Sequence, residues 1–344
     1  MIDLLVAGAG PAGLATALYG ARAGLDVAVV ERRDGLLDKA CGEGMMPHTV
    51  AHLDRLGVTA HGRELGGITY IDGDRRVDAA FRSGSGRGVR RTVLHSALWS
   101  AAEAAGVKLV HGELGEITQD ADSVYAGGFQ ARYLAAADGL HSPIRKALGL
   151  SAPSAGPRRW GIRRHYQIAP WTDSVEVHWS HADAGSGGAE AYVTPVADDC
   201  VGIAILGSTR GGFDRHFESF GELRDRVAGH ACGQDRAAGP LRQKVRARTA
   251  GRVLLVGDAA GYIDALTGEG MGLAFGAAEQ LVDSIVRDRP QDYDGQWRKL
   301  TRRYRILTAT LLHATAHRRL RASVVPAAQM LPGVFTGLVN LLGH

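Results

Sequence analysis

The sequence predicts an α/β fold in which a doubly wound parallel sheet is interrupted by an antiparallel sheet and followed by a helical segment. Apolar strands alternate with glycine turns and helices over most of the chain. Two other stretches carry the alternating, β-branched and aromatic runs typical of antiparallel strands. The α/β domain is predicted over residues 1–60, 86–155 and 246–290, the inserted β-sheet domain over 61–85 and 156–245, and the helical segment over 291–344.

Composition and charge exclude several classes of protein. With 344 residues, of which 45% are hydrophobic, the chain can bury a large core. The net charge of +4 comes with arginines spread along the chain, without zinc-finger spacing or aromatic–basic alternation. We therefore expect contacts with an anionic cofactor and no nucleic-acid partner.

The cysteines and the N-terminus indicate the compartment. Cys41, Cys200 and Cys232 are odd in number and far apart, so they suggest neither a disulfide framework nor a metal-binding pattern. The first apolar run leads directly into a glycine motif, which indicates part of the fold and not a signal peptide. No apolar run reaches the roughly 20 residues that a membrane span needs. We predict a cytoplasmic protein without a metal site.

The chain opens with one βαβ unit. A buried strand over residues 2–7 runs into the turn GAGPAG, a helix follows over about 14–23, and a strand over 25–30 leads to Glu31. In such a turn the glycines allow a tight bend, close approach of a pyrophosphate and packing of helix on strand, so phosphates meet the helix N-terminus. Glu31 can accept hydrogen bonds from an adenosine ribose. The predicted contacts are Gly8, Gly10, Pro11, Ala12, Gly13, Glu31 and Arg32.

The later elements follow from the same periodicities and turn signals. In the α/β domain we predict helices over 47–56, 90–107 and 270–286 and strands over 108–113 and 129–139. In the inserted domain we predict a hairpin over 65–81 around Asp72-Gly73, a flexible loop over 82–88, strands over 174–180, 189–196 and 198–206, and a glycine-rich hairpin loop over 183–189.

Two further turns place polar residues at strand ends. In ADGLHSPIR an acid and a glycine end a strand, and Ser142 before Pro143 is by itself a good helix N-cap. In VLLVGDAAGYIDALTGEGMGLAF a second buried strand ends at an acid, and a glycine turn opens a helix whose N-terminal dipole can face an electron-rich ring or a phosphate. The residues singled out here are Asp138, Gly139, Gly257, Asp258, Gly268, Gly270 and Met271.

In this order and at these distances, the three motifs resemble those of the FAD-dependent oxidoreductases of the para-hydroxybenzoate hydroxylase and geranylgeranyl reductase superfamily, over about residues 1–290. The resemblance implies a Rossmann-like, GR2-type FAD-binding domain with an inserted substrate domain. It implies that the first motif binds the ADP half of FAD, that Asp138-Gly139 contacts the dinucleotide, and that Gly257-Asp258 binds the ribityl chain. Arg91 falls where this superfamily carries an arginine near the pyrophosphate or the ribityl chain; a surface arginine at a helix start is the alternative.

The segment DKACGEGMMP, residues 38–47, resembles the CGGG-type segment of geranylgeranyl reductases. This resemblance implies that Cys41 and Glu43 lie near the reacting face of the flavin, although Cys41 can also be a small buried residue in a tight loop. TGEGMG near Gly268 also resembles the reductases, whereas the intact Asp138-Gly139 motif, which in hydroxylases is tied to NAD(P)H use, resembles the other subgroup.

The predicted sheet offers weaker catalytic candidates. His178 and Tyr192 lie on two of its strands, and AEAYVTPV, which contains Tyr192, resembles the strand that lies over the flavin in both subgroups. Trp179 and His165 are also on the sheet, of which one face is expected to cover a substrate cavity. A lone histidine on a strand is more often structural than catalytic.

The resemblance leaves three functions open. The first expectation is a monooxygenase that uses NAD(P)H and O₂ to hydroxylate an aromatic or polyketide-like molecule. The second is a reductase or dehydrogenase that acts on an unsaturated isoprenoid or quinone. The third is a flavin-binding or electron-transfer protein without catalysis. In each enzyme the substrate is expected to be apolar or aromatic. The basic, apolar tail is expected to pack across the FAD domain, with a weak contact to a membrane surface as the alternative.

Overall fold

The structure, a computed structural model, describes residues 1–154, 156, 158–180, 188–316 and 318–342. It confirms the α/β fold, with one mainly parallel sheet, one mainly antiparallel sheet and a helical C-terminal part. The helices are α1 (Pro11–Arg22), α2 (Pro47–Arg55), α3 (Arg91–Ala104), α4 (Pro143–Ala147), α5 (Phe213–Phe217), α6 (Gly221–Val227), α7 (Gly270–Val286), α8 (Tyr293–Ala316), α9 (Arg318–Met330) and α10 (Pro332–Leu342).

Parallel strands form the core of the first sheet. Its members are β1 (Ile2–Ala7), β2 (Val27–Glu31), β8 (Lys108–His111), β9 (Ile117–Gln119), β10 (Val124–Ala126), β11 (Phe129–Ala136), β19 (Thr249–Ala250) and β20 (Val253–Leu255). The strands β20, β11, β1, β2 and β8 are parallel neighbours in that order. Their carboxyl ends therefore share one edge, and the turns that follow β1, β11 and β20 meet there.

The second sheet combines the early hairpin with the insertion. Its members are β5 (Gly67–Asp72), β6 (Arg75–Ala80), β13 (Trp160–Gln167), β14 (Ser174–Ser180), β15 (Ala189–Ala197), β16 (Cys200–Gly207) and β17 (Arg236–Ala238). The order is β17-β13-β16-β15-β14-β5-β6. All neighbours are antiparallel except β5 and β14, which run parallel and join the hairpin to the insertion.

Two local predictions differ from the structure, and a third is largely untested. The predicted loop 82–88 contains a short strand, which is possible because its glycines let two chains approach closely: a Cβ on Gly88 would lie 1.8 Å from the carbonyl oxygen of Pro195. The insertion also contains helices α5 and α6, which were not predicted. Most of the predicted loop 183–189 lies outside the described residues.

Two small sheets accompany the two large ones. The first contains β3 (Gly44–Met45), β4 (Arg63–Leu65) and β7 (Gly86–Gly88). The second contains β12 (Ser151–Ala152) and β18 (Lys244–Val245).

The turns at the shared edge pack backbone against backbone. Gly8 has a φ of +101°, and a Cβ on it would lie 2.7 Å from the carbonyl oxygen of Ala137. A Cβ on Gly13 would lie 1.9 Å from the carbonyl oxygen of Gly8, and one on Gly257 would lie 2.7 Å from the Cβ of Ala12. Glycine therefore makes the direct contact between all three sequence motifs possible.

The C-terminal helices cover both parts of the molecule. Helix α8 packs on α7 of the α/β domain, as expected for the tail, whereas α9 and α10 pack on the edge strand β6. The side-chain amides of Gln329 and Asn340 donate to the carbonyl oxygens of Arg76 and Ala80, so they satisfy part of the strand's free edge. Among the described helices, none is by itself long and apolar enough to cross a membrane; α9 and α10 meet that criterion only as a pair bent by 108°.

The packing of Gly13 leads to a stability prediction. Gly13→Ala is expected to lower the free energy of unfolding by about 3 kcal/mol or more, because the new methyl group overlaps the Gly8 carbonyl in a backbone contact that cannot relax. Gly10→Ala is the matched control, since a Cβ there has no heavy atom within 4 Å, and we expect a loss below about 1 kcal/mol from weaker helix capping. Urea unfolding of the FAD-free protein measures both. Equal losses would contradict the packing argument.

Candidate cofactor and substrate site

One cavity of about 1130 Å³ connects the shared edge of the parallel sheet to the inner face of the second sheet. We call the part at the parallel sheet the groove and the part at the second sheet the chamber. The structure brings nearly all the predicted cofactor residues to the groove; Gly13 instead lies beneath it, against Gly8. The groove-lining residues among them are Gly8, Gly10, Pro11, Ala12, Glu31, Arg32, Arg91, Asp138, Gly139, Gly257, Asp258, Gly268, Gly270 and Met271.

Glu31 is held at the end of β2 by the turn it faces. Its Oε2 accepts a hydrogen bond from the Ala9 N–H at 2.8 Å, and its Oε1 accepts from the Arg33 N–H at 3.1 Å. Burial disfavours the carboxylate, but the Ala9 and Arg33 donors outweigh it, so the pKa of Glu31 is lowered. The carboxylate therefore stays ionised and can accept further hydrogen bonds from hydroxyl groups, as the ribose of a dinucleotide requires.

Two buried polar atoms of the groove fit a dinucleotide. The Nη1 of Arg91 and the Oδ1 of Asp138 have no hydrogen-bond partner among the described residues. Such atoms are costly to bury unless a ligand satisfies them. The backbone at Gly10 is accessible to a ligand, because no heavy atom lies within 4 Å of the place where its Cβ would be. The unpaired guanidinium nitrogen of Arg91 and the open backbone at Gly10 suit the phosphates of FAD, and the unpaired carboxylate oxygen of Asp138 suits a hydroxyl group.

Lys39 adds a positive charge that the sequence interpretation missed. Its Nζ lies 3.3 Å from the place of a Cβ on Gly139 and interacts electrostatically with Asp258, so it sits between the second and third motifs. Burial, with Arg33 and Arg91 nearby, lowers the pKa of Lys39, and Asp258 opposes that shift. An anion bound in the groove would offset the repulsion of the Lys39 ammonium by Arg33 and Arg91. The position of Lys39 in the sequence could have indicated this role, since it stands two residues before Cys41.

Arg145 ties two motifs together and was also not predicted as a site residue. Its Nη1 donates to the carbonyl oxygen of Ala259 at 3.1 Å, and its Nη2 donates to that of Leu140 at 2.9 Å. The guanidinium is buried, and the Ser142 hydroxyl accepts from the Arg145 N–H at 2.9 Å, as the N-cap prediction requires. Arg145 thus fixes the spacing between the turns that carry Asp138 and Asp258.

Cys41 lies where the groove meets the chamber. The residues from Cys41 to Met46 all line the cavity, and the Sγ of Cys41 accepts a hydrogen bond from the Glu43 N–H at 3.3 Å. Burial raises the pKa of the thiol, although Arg91 favours the thiolate. At neutral pH the group is therefore a neutral thiol beside a cation.

Glu43 is buried and links the 41–44 segment to the second sheet and to the start of α3. It has a φ of +60°, which is unfavourable for a residue other than glycine, and its side chain is 1% exposed. Its Oε2 lies 2.6 Å from the Nε2 of His165 on β13, and its Oε1 accepts from the Arg91 N–H at 2.7 Å. Arg163 lies 3.8 Å from the same carboxylate and also pairs with Asp38. The carboxylate thus binds the 41–44 segment to the second sheet, and His165 is its partner.

The chamber has an apolar lining. Its surface is supplied by the second sheet, the 45–46 segment, the loop before α7 and helix α10. These lining residues are Met45, Met46, Ile68, Tyr70, Phe81, Val175, Val177, Tyr192, Ala204, Leu206, Leu241, Leu266 and Val339.

The two sheet candidates have different positions. Tyr192 lines the chamber, and its hydroxyl donates to the carbonyl oxygen of Leu266 at 2.9 Å, which anchors the loop before α7. Burial raises its pKa well above the ordinary value. His178 lies away from the cavity, on the face of β14 opposite to Val177, where its Nε2 is 3.1 Å from a carboxylate oxygen of Glu176. This geometry gives Tyr192 a contact with the substrate space and His178 a hydrogen bond to Glu176 outside the cavity.

Comparison with known proteins agrees with this site. The family model of the FAD binding domain matches residues 1–287. The chain is 30% identical over 322 residues to menaquinone reductase of Mycobacterium tuberculosis, a match that covers 82% of this chain and 76% of that protein. It is 28% identical over 319 residues to digeranylgeranylglycerophospholipid reductase 1 of Methanopyrus kandleri, covering 83% and 82%.

A solved structure shows the same fold over nearly the whole chain. The flavoprotein/dehydrogenase from Cytophaga hutchinsonii superimposes with a TM-score of 0.79 at 18% identity, covering 98% of this chain and 96% of that one. Together with the matched family model, the motif resemblance is thereby confirmed. The chain belongs to the FAD binding domain family and is a flavin-dependent oxidoreductase.

Proposed function

We propose that the protein is an FAD-dependent reductase that adds two hydrogens to an apolar, unsaturated substrate with a prenyl chain, such as a prenylated quinone or an isoprenoid lipid. The observation that carries this proposal is the apolar chamber that continues the cofactor groove. Among the described lining residues, β5, β14, β15 and β16 contribute hydroxyls only through Tyr70, Tyr192 and Thr194, and no carboxylate or imidazole. The neighbouring strands β13 and β17 add the guanidinium groups of Arg163 and Arg236, which both pair with Asp38. A substrate held there is recognised by shape and apolar contact.

The relatives support a reductase over a hydroxylase. The two curated relatives described above are named as reductases, one of menaquinone and one of a digeranylgeranyl lipid, and both names denote substrates with polyprenyl chains. The CGEG and TGEG segments resemble the same subgroup. We therefore favour the second of the functions considered from the sequence over the monooxygenase that was expected first.

The residues at the junction suit the proton side of this reaction. FAD, when bound, supplies two-electron chemistry, with NAD(P)H as the proposed reductant. Saturation of a double bond requires a hydride on one carbon and a proton on the other. The neutral thiol of Cys41 is the proposed proton donor, and Arg91 stabilises the thiolate that remains until water returns the proton.

A monooxygenase is the second candidate. The observation that favours it is Asp138-Gly139, which is intact and lies in the groove. Hydroxylation would transfer one oxygen atom from O₂ to the substrate. A phenolic substrate would also need polar groups that fix its hydroxyl, and the chamber strands offer few.

The mass of the product tests the function. We expect the FAD-loaded protein, supplied with NADPH or NADH without oxygen, to convert a short-chain menaquinone into a product that is heavier by two hydrogen atoms. Mass spectrometry measures the product, and the FAD-free protein is the control. A product heavier by one oxygen, formed only in air, would establish the second candidate. NAD(P)H oxidation that no substrate accelerates would contradict both enzymes.

Replacing the thiol tests its role. Cys41→Ala is expected to lower kcat about a hundredfold or more while FAD stays bound, because the proton donor is lost. Cys232→Ala is the matched control, since Cys232 is exposed and does not line the cavity. Steady-state kinetics and the flavin absorption spectrum measure the two effects. Unchanged kcat in Cys41→Ala would rule out proton donation by this thiol.

Lys39 gives a prediction for pH dependence. The protonated amine attracts the cofactor phosphates, so affinity for FAD should fall as the pH rises through the Lys39 pKa, which lies below the ordinary value. Lys39→Met should weaken FAD binding about tenfold at neutral pH and remove this alkaline decline, whereas Lys39→Arg should keep the affinity at high pH. Fluorescence titration with FAD, from neutral pH to about pH 10, measures the dissociation constant. The same alkaline decline in Lys39→Met would assign it to another group.

A further inference from the structure

Exposed apolar side chains are concentrated at the C-terminus. Thirteen large hydrophobic residues are exposed in the described part of the chain, and six of them lie between Leu320 and Leu341. On α10 they recur with helical spacing. Together with the turn before α10 they form one surface, which we call the apolar face. It consists of Met330, Leu331, Val334, Leu338 and Leu341.

The opposite side of α10 is fixed to the body of the protein. Phe335 and Val339 are buried, and the Phe335 ring packs at 4.9 Å, edge to face, on Tyr70. The Asn340 amide bridges the end of β6: its Oδ1 accepts from the Arg82 N–H at 2.8 Å, and its Nδ2 donates to the carbonyl oxygen of Ala80. Since these contacts fix the rotation of the helix, the apolar face points outward and cannot turn inward.

The charge of this region indicates an anionic partner. Residues 295–344 contain eight lysines and arginines and no aspartate or glutamate. Lys299, Arg302, Arg303 and Arg305 on α8 are exposed. A segment that combines exposed apolar groups with basic residues and no acidic ones has the composition that binds an anionic lipid surface. A symmetric contact with a second copy of this chain would bring two such basic segments together, which opposes association.

Helix α10 also separates the apolar face from the chamber. Val339 lines the chamber, while its neighbour Leu338 is on the outer side. One helix, about 10 Å thick, therefore lies between the substrate space and the surface. Eleven residues are too few to span a bilayer, which needs about 20, so the helix would lie in the interface.

We propose that the apolar face docks on an anionic lipid leaflet and that the chamber takes its apolar substrate from the same leaflet. Docking follows from the surface alone, whereas the delivery of substrate rests on the reductase function proposed above. In the docked state the apolar face lies among the acyl chains, and the positive charge of residues 295–344 favours the anionic headgroups.

Vesicle flotation with the FAD-loaded full chain tests the docking. We expect co-flotation with phosphatidylcholine–phosphatidylglycerol vesicles, little with phosphatidylcholine alone, and a decrease in high salt. The double variant Val334→Glu, Leu338→Glu should lose at least about tenfold in vesicle binding. Val286→Glu, which changes an exposed apolar residue at the end of α7, is the matched control and should float as the wild type does.

The activity of the same variants separates the two proposals. The double variant should keep its melting temperature and its turnover of a detergent-dispersed short-chain quinone, and lose turnover of a vesicle-borne long-chain quinone. Flotation without any turnover would reject the reductase and leave docking intact. Wild-type protein that does not float, or a double variant that floats equally well, would overturn docking. A lipid-independent dimer that the double variant dissociates would instead assign the apolar face to a second copy.

Discussion

The site depends on one constraint, the absence of side chains where the three turns of the parallel sheet touch. Gly8 lies against both Gly13 and Ala137, and Gly257 lies against Ala12, at separations that admit no Cβ. The contact of Gly8 with Gly13 lies within the first motif, whereas the other two contacts join the first motif to the second and to the third. Because the turns cannot move apart without losing these contacts, the ends of β1, β11 and β20 form a single rigid rim. Arg145 adds hydrogen bonds across the same rim, from the turn after β11 to the turn after β20. The groove is therefore built before any ligand arrives, which lowers the entropic cost of binding one.

Glu43 attaches the second sheet to the α/β domain. It adopts a backbone conformation that normally belongs to glycine, and its carboxylate is held by His165 and Arg163 from the sheet and by the Arg91 N–H at the start of α3. Removal of one partner from such a buried pair typically costs about 3–5 kcal/mol. The strain at Glu43 is offset by these contacts, and the result is that the 41–44 segment runs along the boundary between groove and chamber. The thiol of Cys41 is placed there by the same arrangement, and not by contacts of its own beyond the Glu43 N–H.

The sequence predicted the features that depend on residues close together in the chain. The glycine turns, the hairpin at Asp72-Gly73 and the helix after Gly270 follow from backbone preference and apolar periodicity, and the structure has each of them. Pairings between distant residues were not predictable in this way. The parallel pairing of β5 with β14, the strand at Gly86–Gly88 and the bond between Glu43 and His165 are fixed by packing between residues far apart in the sequence. The orientation of His178 is an intermediate case: alternation along β14 puts it opposite to Val177, but only the position of the chamber shows which face is the functional one.

The difference between the candidate reactions lies in the chamber and not in the cofactor motifs. The groove would serve a hydroxylase and a reductase equally, because FAD requires the same phosphate, ribose and ribityl contacts in both. The chamber determines which molecule meets the flavin and which protons are available. Its walls are mainly aliphatic and aromatic, and Arg163 and Arg236, which also line the cavity, are paired with Asp38. The Tyr192 hydroxyl is bonded to Leu266, and Glu43 is bonded to His165. Among the described residues at the boundary, Cys41 thus combines a labile proton, a neutral resting state and a cationic neighbour that stabilises its conjugate base. That combination suits protonation of a carbon centre in a dry pocket, and it offers little to a phenol that must be bound and deprotonated.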